Sequence, residues 1–153
     1  MSNKLKVSDY QALAEFRYRI RCFLRFSERA AREAGLEPQQ HQLLLALKGL
    51  PEGKKPTIGV LAERLQLKHH SAVELVDRLE ERGFVRRYRD RSDGRQVLVR
   101  ITESAQATLQ ELSIHHLSEL QSIGPELVRM LDTFIPDSGS ERPRLRLQAA
   151  NDP

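Results

Sequence analysis

The chain has 153 residues, 39% of them apolar and 30% charged, with 25 basic against 21 acidic side chains and a net charge of +4. That is room for one domain, or one small domain with dimerisation arms. No apolar run approaches the ~18 residues of a membrane-spanning helix, Met1–Val7 lacks the apolar stretch of a secretory signal, and a single cysteine excludes an intrachain disulfide and a cysteine-built zinc site. A cytoplasmic location is the expectation, with no membrane partner. The chain carries no GxGxxG, P-loop, HExxH or GxSxG pattern, so neither an enzyme nor a cofactor is expected.

The first helix is expected over about Asp9–Ala34, opened by a Ser8/Gln11 capping box and stopped by Gly35. Tyr10, Leu13, Phe16, Ile20, Phe23, Leu24, Ala30 and Ala31 recur along it at helical spacing. Some 26 residues at ~1.5 Å rise give roughly 39 Å, longer than a compact domain of this size needs, so much of its apolar face is expected to meet another chain. A second helix begins at Pro38 and runs to Gly49; residues 50–56 form a loop; Thr57 caps a short third helix through Leu65. After Gln66-Leu67-Lys68 a fourth helix runs from His69 to Arg82, with Ala72, Leu75, Val76 and Leu79 as its inward stripe.

The period then changes. Phe84–Arg89 and Gln96–Ile101 favour strand and flank a polar tip at residues 90–95, which reads as a β-hairpin. Thr102 caps a fifth helix, about Glu103–Ser122, whose apolar seam is Leu109, Leu112, Leu117 and Leu120. Gly124-Pro125 is expected to break it, leaving a short sixth helix that ends at Pro136; residues 136–153 read as a polar mobile tail.

Between Arg82 and Arg100 lie seven arginines and no lysine, opposed only by Asp90 and Asp93. A solvated hairpin face is one reading. The other is nucleic acid, because the guanidinium fork suits phosphates and base edges. The two helices just before this cluster have helix-turn-helix spacing, with the second free to enter a major groove. Helical spacing turns His69, His70, Val73, Glu74 and Asp77 outward, and Lys68–Ser71 are best placed to reach bases. A helical hairpin followed by a strand hairpin with an arginine tip is a winged helix-turn-helix pattern.

Ile58–Leu65, then Val73–Arg87, the wing Asp90-Arg91-Ser92-Asp93-Gly94-Arg95, and Ile101-Thr102-Glu103 resemble the MarR family of bacterial transcription regulators. The likeness is sharpest over residues 57–103 and extends in layout to about 135. It implies a mainly α fold with a small β-hairpin wing, built of six helices and interlocked as a homodimer. Residues 1–35 and 102–135 would form the dimerisation region, and 36–101 the DNA-binding lobe. It further implies that the helix from His69 lies in the major groove of double-stranded DNA, that Arg95 enters the minor groove and that Asp93 helps hold the wing. The candidate DNA-contacting set is Thr57, Lys68, His69, His70, Ser71, Glu74 and Arg78, with Arg91, Asp93 and Arg95 on the wing. The chain departs from the family at Lys68-His69-His70, where serine, threonine and arginine are usual, and at Glu74, which can accept from a cytosine amino group.

Other candidates have plainer readings beside them. His69-His70 and His115-His116 are adjacent pairs whose side chains diverge by about 100° on a helix, so no metal site is expected and exposed or DNA-facing histidines are the alternative. Cys22, beside Arg21 and Arg25, suits either a redox sensor of the family's kind or, as preferred here, a small packed apolar residue. Arg17, Arg21 and Arg25 with His41 would line a pocket for a small aromatic or anionic effector, or belong to a solvated helix face. The expected function is a homodimeric repressor binding an inverted-repeat operator, released by an effector. The alternatives are a winged-helix protein–protein module without DNA binding, and a cysteine-based redox regulator.

Overall fold

In the computed structural model of the chain, residues 4–135 are described; the tail expected at 136–153 lies outside them. The order is α1 (Val7–Glu33), α2 (Pro38–Lys48), α3 (Ile58–Leu65), α4 (His69–Glu81), β1 (Val85–Arg89), β2 (Val97–Ile101) and α5 (Glu103–Phe134). No helix among the described residues is long and apolar enough to cross a membrane.

The capping chemistry fixes most boundaries. Thr57 Oγ1 accepts from the Val60 N–H at 3.2 Å at the start of α3, and Thr102 Oγ1 accepts from the Ala105 N–H at 3.4 Å at the start of α5. At the head of α1 the expected Ser8/Gln11 box is replaced by its neighbour. The Lys6 N–H donates to Asp9 Oδ2 at 2.7 Å, and Ser8 lies inside the helix. A carboxylate three residues on is the stronger acceptor for an unpaired N–H and also suits the positive helix end. Between α3 and α4 the turn passes through Gln66 at φ 54°, where its Nε2 donates to the Glu63 carbonyl at 2.7 Å. That bond offsets part of the cost of a left-handed non-glycine residue.

Leu36, Leu43, Leu44, Leu61, Val76, Leu79, Val85 and Val99 are fully buried and form one core with Ala105, Leu109 and Leu112 of α5. Each such leucine stabilises the lobe by about 1.5–3 kcal/mol relative to exposure. β1 and β2 pair antiparallel, with Arg87 opposite Val99 and Arg89 opposite Val97. A third segment joins them: Thr57 forms a bridge with Leu98, and the Val99 N–H donates to the Pro56 carbonyl at 2.9 Å. The residues that lead into α3 thus lie against the hairpin.

The sixth helix does not exist as a separate element. α5 runs unbroken through Pro125, so there are five helices among the described residues. Proline removes one hydrogen bond and crowds the carbonyl of Gln121. Both Gln121 and Pro125 are exposed, so water can serve that carbonyl. The segment beyond is held on α1 by the Arg19–Glu126 ion pair at 2.8 Å and the edge contact of Phe16 with Phe134, centroids 5.9 Å apart.

Candidate nucleic-acid interface

α3 and α4 form the helix-turn-helix. Ala72, Leu75, Val76 and Leu79 are buried against the lobe, so Lys68, His69, His70, Glu74, Asp77 and Arg78 are exposed on the opposite side, with Ser71 half-buried. Lys68 caps α4 without a side-chain hydrogen bond, and no acidic residue stands in the first turn. The backbone N–H groups there are open to an anion, and the helix dipole favours one. Thr57, included in the sequence-derived set, is half-buried and holds the start of α3.

The seven arginines have different roles. Arg82 donates to Gln40 Oε1 at 2.8 Å and to the Gly35 carbonyl at 2.6 Å, and lies over the Phe84 ring, joining the end of α4 to the α1–α2 turn. Arg87 bonds Glu80 and Asp77, and its N–H donates to Glu80 Oε1 at 2.9 Å, joining β1 to α4. These bonds, the backbone one foremost, hold the Glu80 carboxyl below its ordinary value. Arg89 donates to the Gly94 carbonyl at 2.9 Å and Arg100 lies over Tyr88. Arg86, Arg91 and Arg95 are exposed and in no salt bridge among the described residues. Arg91 and Arg95 thus put two such cations on the wing tip, while Arg86 lies at the other end of the hairpin, opposite Arg100.

That tip is held by two aspartates. Asp93 Oδ1 accepts from the Arg95 N–H at 3.1 Å, and the Gln96 N–H donates to the Asp93 carbonyl at 2.9 Å. Asp90 Oδ1 accepts from the Ser92 N–H at 3.0 Å and from its hydroxyl at 2.9 Å, an Asx-turn, while Oδ2 meets Lys55 Nζ. The Lys55 ammonium and then the Ser92 N–H pull the Asp90 carboxyl from 3.8 down to about 2. Asp90 and Lys55 were not among the sequence candidates. The Asp-x-Ser turn was legible; a partner 35 residues away was not.

The remaining candidates lie apart from this face. Arg17, Arg21 and Arg25 are exposed along α1 at four-residue spacing. His41 is 3% exposed and packs on His116 of α5, ring centroids 4.8 Å apart. His116 bonds the Leu112 carbonyl through Nδ1 at 2.6 Å and Ser27 Oγ through Nε2 at 2.7 Å, with Phe23 and Phe26 at its edges. His116 is therefore half-buried and hydrogen-bonded, not an exposed residue. Burial and then the neighbouring His116 push the His41 ring below its ordinary value, favouring its neutral form. Cys22 is exposed, against the packed position expected. Phe16, Arg19, Phe23, Phe26 and Ala30 are the more buried side of α1, and position 22 turns about 100° away from Phe23. Among the described residues no group of three or more histidine, cysteine or acidic side chains is placed to hold a metal.

Residues 34–96 match the sequence profile of the MarR family. No curated protein matches the chain in sequence. Among solved structures, a MarR family protein from Bacillus stearothermophilus superposes at TM-score 0.68 with 21% identity, covering 86% of this chain and 94% of that one. CouR from Rhodococcus jostii RHA1, bound to p-coumaroyl-CoA, gives TM-score 0.60 at 25% identity over 74% of this chain and 81% of its own. A mutant of S. aureus MepR bound to an oligodeoxyribonucleotide gives 0.57 at 18% identity over 89% and 88%.

Proposed function

We propose that the chain, whose residues 34–96 match the MarR family profile, is a transcription regulator of that family that binds an inverted-repeat operator in double-stranded DNA as a homodimer and represses transcription. The observation that carries this is the pairing of an uncapped, exposed α4 amino end with a wing tip whose Arg91 and Arg95 guanidiniums are in no salt bridge among the described residues. A helix of that kind fits a major groove; long cations on a hairpin tip fit the adjacent minor groove. The lobe is residues 36–101, and residues 1–35 with 102–135 are its dimerisation region. The fold of MepR has been captured on DNA, which supports the same use of the fold here.

The dimer is supported by the apolar surface of the long helices. Tyr10 (59% exposed), Leu13, Ile20 and Leu24 on α1, and Leu117 (59%), Leu120, Val128 (52%) and Leu131 on α5, are uncovered in the single chain. Release by a small aromatic or anionic effector is part of the same reading. It is supported by the p-coumaroyl-CoA bound in CouR; the open clefts between α1 and α5 and between α2 and α5 include none of Arg17, Arg21, Arg25 and His41.

The deciding experiment is a titration of the purified protein into the intergenic duplex beside its own gene, at several salt concentrations, with an unrelated duplex as control. Binding that prefers the intergenic duplex and falls steeply with salt is expected. Equal indifference to both duplexes at physiological salt overturns the reading in favour of a protein–protein module.

A further inference from the structure

We propose that Lys55 is a positioning residue for DNA recognition: it clamps the wing to the segment that opens the helix-turn-helix and so fixes the wing-tip arginines relative to α4. The proposal rests on the DNA-binding reading above and adds a residue outside both DNA-contacting elements.

Three neighbouring residues make three different attachments. Lys55 Nζ reaches Asp90 and donates to Ser92 Oγ at 2.9 Å. The Pro56 carbonyl accepts from the β2 Val99 N–H at 2.9 Å. Thr57 bridges Leu98 through its backbone and caps α3 through its hydroxyl. The strap 55–57 therefore ends on the helix that precedes α4 and lies along the hairpin, with only Lys55 reaching the tip. The Asp90 side chain is 10% exposed, and its oxygens are occupied by Lys55 and Ser92. Without the ammonium, one carboxylate oxygen near the surface loses its charged partner, and the turn keeps only its own Asx bonds and those of Asp93.

The tip needs such an external anchor. Residues 91–96 are exposed, and Gly94 meets no atom where a Cβ would stand. The bonds that order the turn are polar: those of Asp90 to Ser92 and Lys55, and those of Asp93 to Arg95 and Gln96. The Lys55 side chain is 49% exposed, so its ammonium is also open to solvent contact. Two roles are thus distinguishable: ordering the wing, or touching a phosphate directly. The geometry favours the first, because both of its bonds go to wing residues. The consequence for recognition is geometric. Arg91 and Arg95 gain binding only if held where the minor groove passes; an unclamped tip must be ordered on binding, at a cost in affinity.

The test uses Lys55→Met, which keeps the stem length and removes the charge, in the full chain. Amide exchange at Ser92, Arg95 and Gln96 is measured without DNA and is expected to quicken about tenfold or more, with the α3 and α4 amides unchanged. Unchanged wing exchange overturns the proposal, whatever the protein binds. Binding to the intergenic duplex is expected to weaken about tenfold. In an Arg91→Ala/Arg95→Ala background the same substitution is expected to cost less than twofold, because there is no tip cation left to position. A full tenfold loss in that background means Lys55 touches DNA itself, and the positioning role is wrong. Lys55→Arg, which restores a cation that reaches Asp90, is expected to recover both slow exchange and binding. If the unmodified protein ignores the duplex, the DNA-binding reading fails, while the exchange measurement still decides the clamp.

Discussion

Arg95 and His70 stand on elements that meet DNA differently, and substitution separates them. Arg95 lies at the exposed tip, where minor-groove potential is strong and sequence information slight. Arg95→Ala is expected to weaken binding to many duplexes alike and to flatten the salt dependence by up to about one unit of slope, read from titrations at several salt concentrations. His70, exposed in the first turn of α4, is within the reach of base edges. His70→Ala is expected to cost about 1–3 kcal/mol at particular base pairs and leave the slope nearly unchanged, read from a panel of single-base operator variants. Asp90 sets a separate limit in acid. Its carboxyl is lowered from 3.8 to about 2. Its contribution is therefore complete above 3.8 and is lost as the pH falls from there toward 2. Wing amide protection should persist at pH 5 and fail only below about 4. At this scale the sequence showed the exposed cations but not their partners. Arg82 and Arg87 look like Arg91 and Arg95 in a string of letters, and only the fold brings Gln40, Asp77 and Glu80 to the first pair.

Elements were legible wherever local chemistry decides them. Thr57, Thr102, Pro38 and Gly35 open or stop helices through groups within a few residues. Pro125 misled because its cost of about 3 kcal/mol is met by contacts with α1, some 110 residues earlier in the chain. Pro125→Ala is accordingly expected to stabilise the protein by about 1–3 kcal/mol, measured by urea unfolding. A loss of stability would mean that Pro125 itself is needed to seat Glu126 and Phe134 on α1. The junction of α1, α2 and α5 was equally hidden, since no periodicity brings His41 and His116 together. His41 is lowered from its ordinary 6.5 by burial and by His116. The unfolded chain thus takes up a proton that the folded one refuses. Stability from this site is complete above pH 6.5 and falls as the pH drops below it. Urea midpoints should decrease from pH 7 to pH 5.5, and His41→Gln should show a shallower decrease over that range.

At the scale of the whole molecule, α1 and α5 carry an apolar stripe that the single chain leaves uncovered. The excess length of α1 was readable from its apolar repeat, but which residues face outward was not. Leu109 and Leu112 turn into the lobe core, while Leu117 and Leu120 of the same expected seam remain exposed. Deleting residues 1–20 removes Phe16 and Arg19 from their contacts with Phe134 and Glu126. Aggregation is the expected result, followed by size-exclusion chromatography with light scattering; a soluble, folded monomer at micromolar concentration would contradict the proposed dimer. The uncovered stripe also makes abundance a structural variable. If a second copy covers it, two chains must find each other before either is fully stable. Each tenfold dilution then lowers the apparent stability of the pair by about 1.4 kcal/mol. A cell that makes few copies would hold fewer of them folded as well as fewer of them bound. A modest change in synthesis would thus be amplified before any operator is occupied.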